Sequence, residues 1–203
     1  MSNGSPARRG DSNTHRGPVA YSDSEYIEGV HRGDEGIFTE LVSAYVDPLT
    51  RFAFGYLGEE DTAHDVVQDV FMRVWQLGPD WNPTTGVSPY LFAAIRHRAY
   101  DILRADHARE RMRVAARRIQ PAGADTGDPY ADPVLVALVR KAMLQLTDRQ
   151  REVLRLRYEQ GHTVVEAATI LGIDVRAVEK LIARGLIALR TRLGVFGGTA
   201  DRG

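Results

Sequence analysis

The sequence predicts an all-α protein, two small helical domains joined by a flexible linker, and three observations carry that prediction. Apolar residues recur at spacings of three and four along most of the 203 residues, and nowhere do apolar and polar residues alternate as in a half-buried strand. From Gln120 to Pro133 this periodicity stops: three prolines, two glycines and three aspartates with almost nothing apolar make residues 119–133 a linker. Beyond it, Leu146 to Leu189 reads as two capped helices around a glycine turn, the form of a helix-turn-helix.

Residues 1–20 are polar and rich in Ser, Gly, Asn and Arg, and read as a disordered tail. The first helical domain spans 21–118. Ser22-Asp23-Ser24-Glu25 has the spacing of a capping box and opens a helix that ends near Gly33. From Asp34 the set Ile37, Phe38, Leu41, Val42 and Tyr45 keeps helical spacing, and Leu49, Phe52, Ala53 and Tyr56 extend it after Pro48. Ala63, Val66, Val67, Val70, Phe71, Val74 and Trp75 share one side of an amphipathic helix, which Gly78-Pro79 and Asn82-Pro83 break. Ser88-Pro89 offers an N-cap and an N1 proline for a fourth helix running to about Arg118.

The second helical domain spans 134–193, with residues 194–203 as a C-terminal tail. Thr147-x-x-Gln150 caps a helix whose Val153, Leu154 and Leu156 point inward. Thr163-Val164-Val165-Glu166 is another capping box, and Ala167, Ala168, Ile170 and Leu171 give the short helix after it an apolar side. Gly172 supplies the turn and Asp174 the next cap. In the following helix Val178, Leu181, Ile182, Leu186 and Leu189 share one face, leaving Arg176, Glu179, Lys180 and Arg184 outward.

Composition narrows the function. With no cysteine there is no disulfide framework, thiolate metal site or thiol nucleophile. The N-terminus has no apolar signal core and no apolar run reaches membrane-spanning length, so a cytoplasmic protein without membrane insertion is expected. The six histidines are scattered, and neither a zinc-protease helix motif nor a phosphate-binding glycine loop occurs. No catalytic residue, metal, cofactor or small-molecule substrate is therefore expected. The formal net charge of −1 conceals a strong asymmetry. Residues 21–87 carry 3 Arg against 13 Asp/Glu, a net of −10. Residues 88–120 carry 8 Arg against 3 acids, and residues 136–192 carry 11 Arg/Lys against 6, each a net of +5. One acidic block and two basic ones suggest a protein-facing surface and two nucleic-acid-facing surfaces.

Each surface has candidate residues. On helix 63–75 the apolar side leaves Asp65, Gln68, Asp69, Met72 and Arg73 outward, a polar face with an adaptable Met for docking a helical partner. On the fourth helix Tyr90, Phe92 and Tyr100 are interleaved with Arg96, His97, Arg98 and Arg104. Aromatic rings stack on unpaired bases and arginines hold backbone phosphate, which is the chemistry of single-strand capture. Phe92 and Tyr100 serve equally well as flanks of a core made by Leu91, Ile95, Ala99, Ile102 and Leu103. On the last helix, Arg176, Ala177, Glu179 and Lys180 lie near the N-terminus, where residues approach the floor of a DNA major groove. Arg184 and Arg190 follow as phosphate contacts.

The string Ala63-His64-Asp65-Val66-Val67-Gln68-Asp69-Val70-Phe71-Met72-Arg73-Val74-Trp75 resembles the signature of sigma factors of the extracytoplasmic-function (ECF) group. Arg151-Glu152-Val153-Leu154-Arg155-Leu156-Arg157-Tyr158, leading into the helix-turn-helix, resembles the second conserved domain of the same family. The resemblance covers residues 24 to 192. It implies a protein that binds core RNA polymerase through Asp65, Gln68, Asp69, Met72 and Arg73, docking on the coiled-coil clamp segment of the largest subunit. It implies promoter DNA as the second partner. Tyr90, Phe92, Arg96, His97, Tyr100 and Arg104 would take the melted −10 element, and Arg176, Ala177, Glu179, Lys180 and Arg184 the −35 element. It also admits an anti-sigma factor covering the polymerase-binding faces. The chain departs from the family at Leu146-Thr147 (usually Leu-Pro), at Pro89-Tyr90 near the place of a common Trp, at His97 (usually Asn) and at Glu179-Lys180-Leu181. These bear on which promoter is read.

Two further readings stand beside this one. A helix-turn-helix regulator of the response-regulator output type would need an α/β receiver upstream, and the first 120 residues carry no strand pattern. Asp125, Asp128 and Asp132 of the linker would either mimic a nucleic-acid strand in the polymerase or simply solvate a spacer.

Overall fold

A computed structural model describes residues 21–113 and 133–193. These residues contain helices and turns and no strand. The expectations for the N- and C-terminal tails, for most of the linker with its aspartates, and for residues 114–118 lie outside the described residues.

The N-terminal unit has four helices, α1 (Asp23–Arg32), α2 (Glu35–Leu57), α3 (Glu60–Leu77) and α4 (Val87–Arg113). Local chemistry sets the first starts. The Glu25 amide donates to Ser22 Oγ, and the Ser22 amide donates to the Glu25 carboxylate at 2.7 Å, closing the capping box of α1. Those hydrogen bonds hold the Glu25 carboxyl below its ordinary pKa. Asp34 accepts from the Ile37 amide at 3.1 Å and starts α2, which runs on through Pro48 to Leu57.

The start of α4 is set otherwise. The sequence points to Ser88 as its cap, but the helix begins at Val87, whose amide donates to Asp23 Oδ2 of α1 at 3.0 Å. A carboxylate 64 residues away thus does the work expected of the neighbouring hydroxyl. The same α3–α4 connection buries Trp81, whose carbonyl accepts from His31 Nε2 of α1 at 2.8 Å. Tyr26, Leu41, Leu49, Val66, Val67, Leu91 and Ile95 fill the core between the four helices. Burying each such side chain contributes about 1.5–3 kcal/mol.

The C-terminal unit comprises α5 (Pro133–Leu144), α6 (Asp148–Leu154), α7 (Val164–Leu171) and α8 (Val175–Leu193). Thr147 and Thr163 both form capping boxes, and Asp174 accepts from the Ala177 amide at 2.9 Å. Between α6 and α7 the chain makes one turn of π-helix, Arg155–Glu159. Arg151 is held where α5 ends: its guanidinium donates to the carbonyls of Met143 (3.1 Å) and Leu144 (3.3 Å) in the last turn of the helix and of Leu146 (3.0 Å) just beyond it. Gly172, at φ +65°, ends α7 in the left-handed conformation that favours glycine, and lets α8 turn directly away. Val153, Leu154, Leu156, Ile170 and Val178 form the core.

The two units are in contact. α4 packs against α7, and the end of α2 meets the π-helical turn. A sequence reading of two tethered domains contains no such interface.

Candidate nucleic-acid interface

Three surfaces carry the candidate residues, and their surroundings differ. On α3 the core side is sealed by Val66, Val67, Val70, Phe71 and Val74, so helical geometry forces Asp65, Gln68, Asp69, Met72 and Arg73 outward, and all five are exposed. Met72 stands half in solvent, at 51% of its full accessibility. Asp69 is bridged by Arg98 of α4 at 3.1 Å across a shallow cleft lined also by Thr62, Asp65 and Gln68.

α8 presents the second surface. Val178 is fully buried and Leu181 and Ile182 are half-buried, which leaves Arg176, Glu179, Lys180 and Arg184 exposed in a row along the outer side. Ala177 is half-buried beside them, its amide tied to Asp174. Arg190 is exposed further along the same helix. A helix projecting three cations and one carboxylate, fixed by a tight turn to a second helix, fits the width of a major groove.

On α4 the candidates divide. His97 and Arg104 are exposed, Arg104 lying 3.5 Å from Asp101 of the next turn back. Tyr90 is half-buried with its ring 5.9 Å from Trp81. Phe92 and Arg96 lie under the C-terminal unit instead, and Tyr100 is half-buried with its ring 5.5 Å from Tyr56 of α2. Phe92 is 2% exposed, wedged between the rings of Phe52 (5.0 Å) and His162 (4.6 Å). Arg96 is 7% exposed; its Nε donates to Glu152 Oε1 of α6 at 2.7 Å and its guanidinium lies 4.8 Å over the Tyr100 ring. Burial opposes the charge on Arg96, yet the hydrogen bond and charge of Glu152 prevail and raise its pKa.

Glu152 is the hub of this contact and is itself buried at 5% exposure. It accepts from Arg96, from Arg149 Nη1 at 3.1 Å and from the Tyr56 hydroxyl. Burial, then the adjacent Glu152 charge, pushes the Tyr56 phenol well above its ordinary pKa of 10.0. Arg155 adds a second tie, donating through Nη1 to the Gly55 carbonyl at 3.1 Å. The absence of a side chain at Gly55 makes the approach: a Cβ there would overlap Arg155 Nη1. Tyr56, Glu152, Arg155 and His162 were not singled out by sequence reasoning. One signal was available: Glu152 stands four residues before the inward Leu156, so a helix through both puts the carboxylate on the buried side.

This arrangement is that of a two-unit helix-turn-helix DNA-binding protein with a separate exposed polar face on α3. Residues 41–110 match the family Sigma-70 region 2, and residues 137–189 match Sigma-70, region 4. The ECF RNA polymerase sigma factor SigW of Bacillus subtilis is 26% identical over 176 residues, spanning 82% of this chain and 94% of SigW. The solved structure of CnrH in complex with the cytosolic domain of CnrY has a TM-score of 0.62 at 26% identity, covering 85% of this chain and 97% of that one. The sigma factor RpoE of Bartonella quintana, solved with the anti-sigma factor NepR, shares the fold at a TM-score of 0.62 and 23% identity, over 78% of this chain and 97% of RpoE. The chain belongs to the RNA polymerase sigma factors, in their ECF group, and directs transcription initiation. The N-terminal unit is its region 2 and the C-terminal unit its region 4.

Proposed function

We propose that the three surfaces divide the work of initiation as follows. The exposed face of α3, with Asp65, Gln68, Asp69, Met72 and Arg73, docks on core RNA polymerase at the coiled-coil clamp segment of its largest subunit. α4 takes the melted −10 strand, with Phe92 and Tyr100 against bases, Tyr90 beside them, and Arg96, His97 and Arg104 along the backbone. α8 reads the −35 element through Arg176, Glu179 and Lys180, with Ala177 against the groove and Arg184 on phosphate. The protein works by binding alone, without cofactor or chemistry of its own, in the cytoplasm where its polymerase resides. An anti-sigma factor is a further partner of the α3 face.

The observation that carries this reading is the order of the two matched regions combined with side-chain exposure. Region 2 precedes region 4, the acidic block has its polar α3 face open, and α8 has its cations open. Electrostatics agrees: a polar acidic face suits a basic protein partner, and exposed arginines release counterions from DNA. A response-regulator output protein would place an α/β receiver ahead of the helix-turn-helix, and the described residues of the N-terminal unit contain no strand.

The test is reconstitution. The purified chain is added to core RNA polymerase and supplied with fragments of its source genome, and run-off products are mapped. Discrete start sites that vanish with Asp65→Ala/Asp69→Ala and with Lys180→Ala support the division of labour. Unchanged start sites with all three would refute it.

A further inference from the structure

We propose that Asp23 and His31 of α1 are positioning residues for the −10 strand: they brace the α3–α4 connection, and through Trp81 they hold the Tyr90 ring where a base is to stack. The inference rests on the assignment of Tyr90 to the −10 strand and deepens it.

α1 carries no candidate contact of its own, yet it reaches both ends of the connection. It packs on the short 3₁₀ turn Gly78–Asp80 that follows α3. His31 Nε2 donates to the Trp81 carbonyl at 2.8 Å, and Asp23 Oδ2 accepts from the Val87 amide at 3.0 Å, where α4 begins. The two side chains leave α1 about 12 Å apart along its axis, at about 1.5 Å per residue. The connection is thus pinned near its entry and at its exit. The exit is a close fit: a Cβ on Gly86 would stand 2.9 Å from the same Asp23 oxygen. An amide at a helix start has no intrahelical acceptor, so Asp23 fixes the first turn of α4 and the direction in which its side chains leave.

Trp81 carries the constraint to Tyr90. The indole is 1% exposed, and its Nε1 finds no acceptor among the described residues. Burying an unpaired donor costs free energy, so the ring stays inward only while its packing and the His31 tie outweigh that cost. Tyr90 stands edge-on to it, the ring centroids 5.9 Å apart at 77°, an arrangement that orients the phenol. The Tyr90 amide donates to the Gly86 carbonyl at 3.2 Å, which places the residue in the turn that Asp23 closes. A ring already aimed loses little freedom when the strand arrives. One that wanders binds only in the fraction of time that it points correctly.

The test uses the chain assembled with core RNA polymerase. Affinity is measured for two fluorescent probes from a promoter mapped by run-off transcription, a single-stranded non-template −10 oligonucleotide and a −35 duplex. Asp23→Ala and His31→Ala are expected to weaken the −10 probe about tenfold and about threefold, the losses of a charged and a neutral hydrogen bond. The −35 duplex should bind as before. Asp23→Asn keeps an acceptor and His31→Gln keeps a donor near the former Nε2, so both should stay within about twofold of the parent. Tyr90→Ala separates positioning from a merely structural role: combined with either alanine variant, it should weaken the −10 probe no further than Tyr90→Ala alone. Parental −10 affinity in both alanine variants, full additivity with Tyr90→Ala, or equal losses on the two probes would overturn the proposal. Circular dichroism checks folding; should Asp23→Ala not fold, His31→Ala, which truncates a half-buried side chain, decides alone. Failure of the underlying reading looks different. A Tyr90→Ala variant that binds the −10 probe like the parent removes the Tyr90 assignment and the brace together. A weakened Tyr90→Ala beside parental α1 variants removes the brace alone.

Discussion

Gly55→Ala is expected to stabilise one part of the molecule while loosening another. Gly55 lies in the last turns of α2, and alanine in a helix is favoured over glycine by about 0.5–1 kcal/mol, so region 2 should gain that much. The new methyl, however, occupies the place of Arg155 Nη1. The guanidinium is the far end of a flexible side chain and swings aside without strain, but it gives up the hydrogen bond to the Gly55 carbonyl. A hydrogen bond to a charged group contributes about 1.5–3 kcal/mol, and with Arg155 partly in solvent the lower end applies. The contact between the two units should weaken by about tenfold while the denaturation midpoint of region 2 rises. Distances between spin labels on Ser43→Cys of α2 and Thr191→Cys of α8 report the first change, and urea unfolding followed by circular dichroism the second. The double variant Gly55→Ala/Arg155→Ala should open no further than either single one, because both remove the same bond. Full additivity of the two would refute the reasoning, as would label distances left unchanged by Gly55→Ala.

Three other outcomes are expected. Thr163→Ala removes the capping box of α7 and should cost about 1 kcal/mol in urea unfolding, with little change if Thr163 is replaced by Ser. Arg184→Ala should weaken every promoter alike in binding titrations and reduce the slope of log affinity against log salt by about one; a changed −35 preference would mean that Arg184 reads bases. Tyr56 should be a late phenol in an alkaline ultraviolet titration. Its pKa is raised in the folded chain, so the bond to Glu152 is fully present below pH 10 and is lost as pH rises through the folded-state value. Tyr56→Phe should remove that late step from the titration curve.

What the sequence reveals is local. Ser22, Thr147, Thr163 and Asp174 are readable as caps because each pairs with an amide three residues ahead. The exposed faces of α3 and α8 are readable because an apolar stripe on one side fixes the other. Ser88 misleads for the same reason: its neighbourhood has the form of a cap, but Asp23, distant in sequence and near in space, supplies the bond. The interface at Arg96 is hidden more deeply. An arginine within a basic helix reads as open to phosphate, and only the folded chain brings a carboxylate 56 residues away onto it. The π-helical turn that aims Arg155 at Gly55 carries no sequence signal that periodicity could detect.

The pairing of Arg96 with Glu152 couples two traits that regulation would otherwise tune apart. On the proposed assignment of α4 to the −10 strand, a mutation that alters which sequence Arg96 or Phe92 accepts also alters how firmly the two units hold together. Divergence toward new promoters would then change that packing as well, and a lineage that changes one trait must compensate on the α6–α7 side to keep the other.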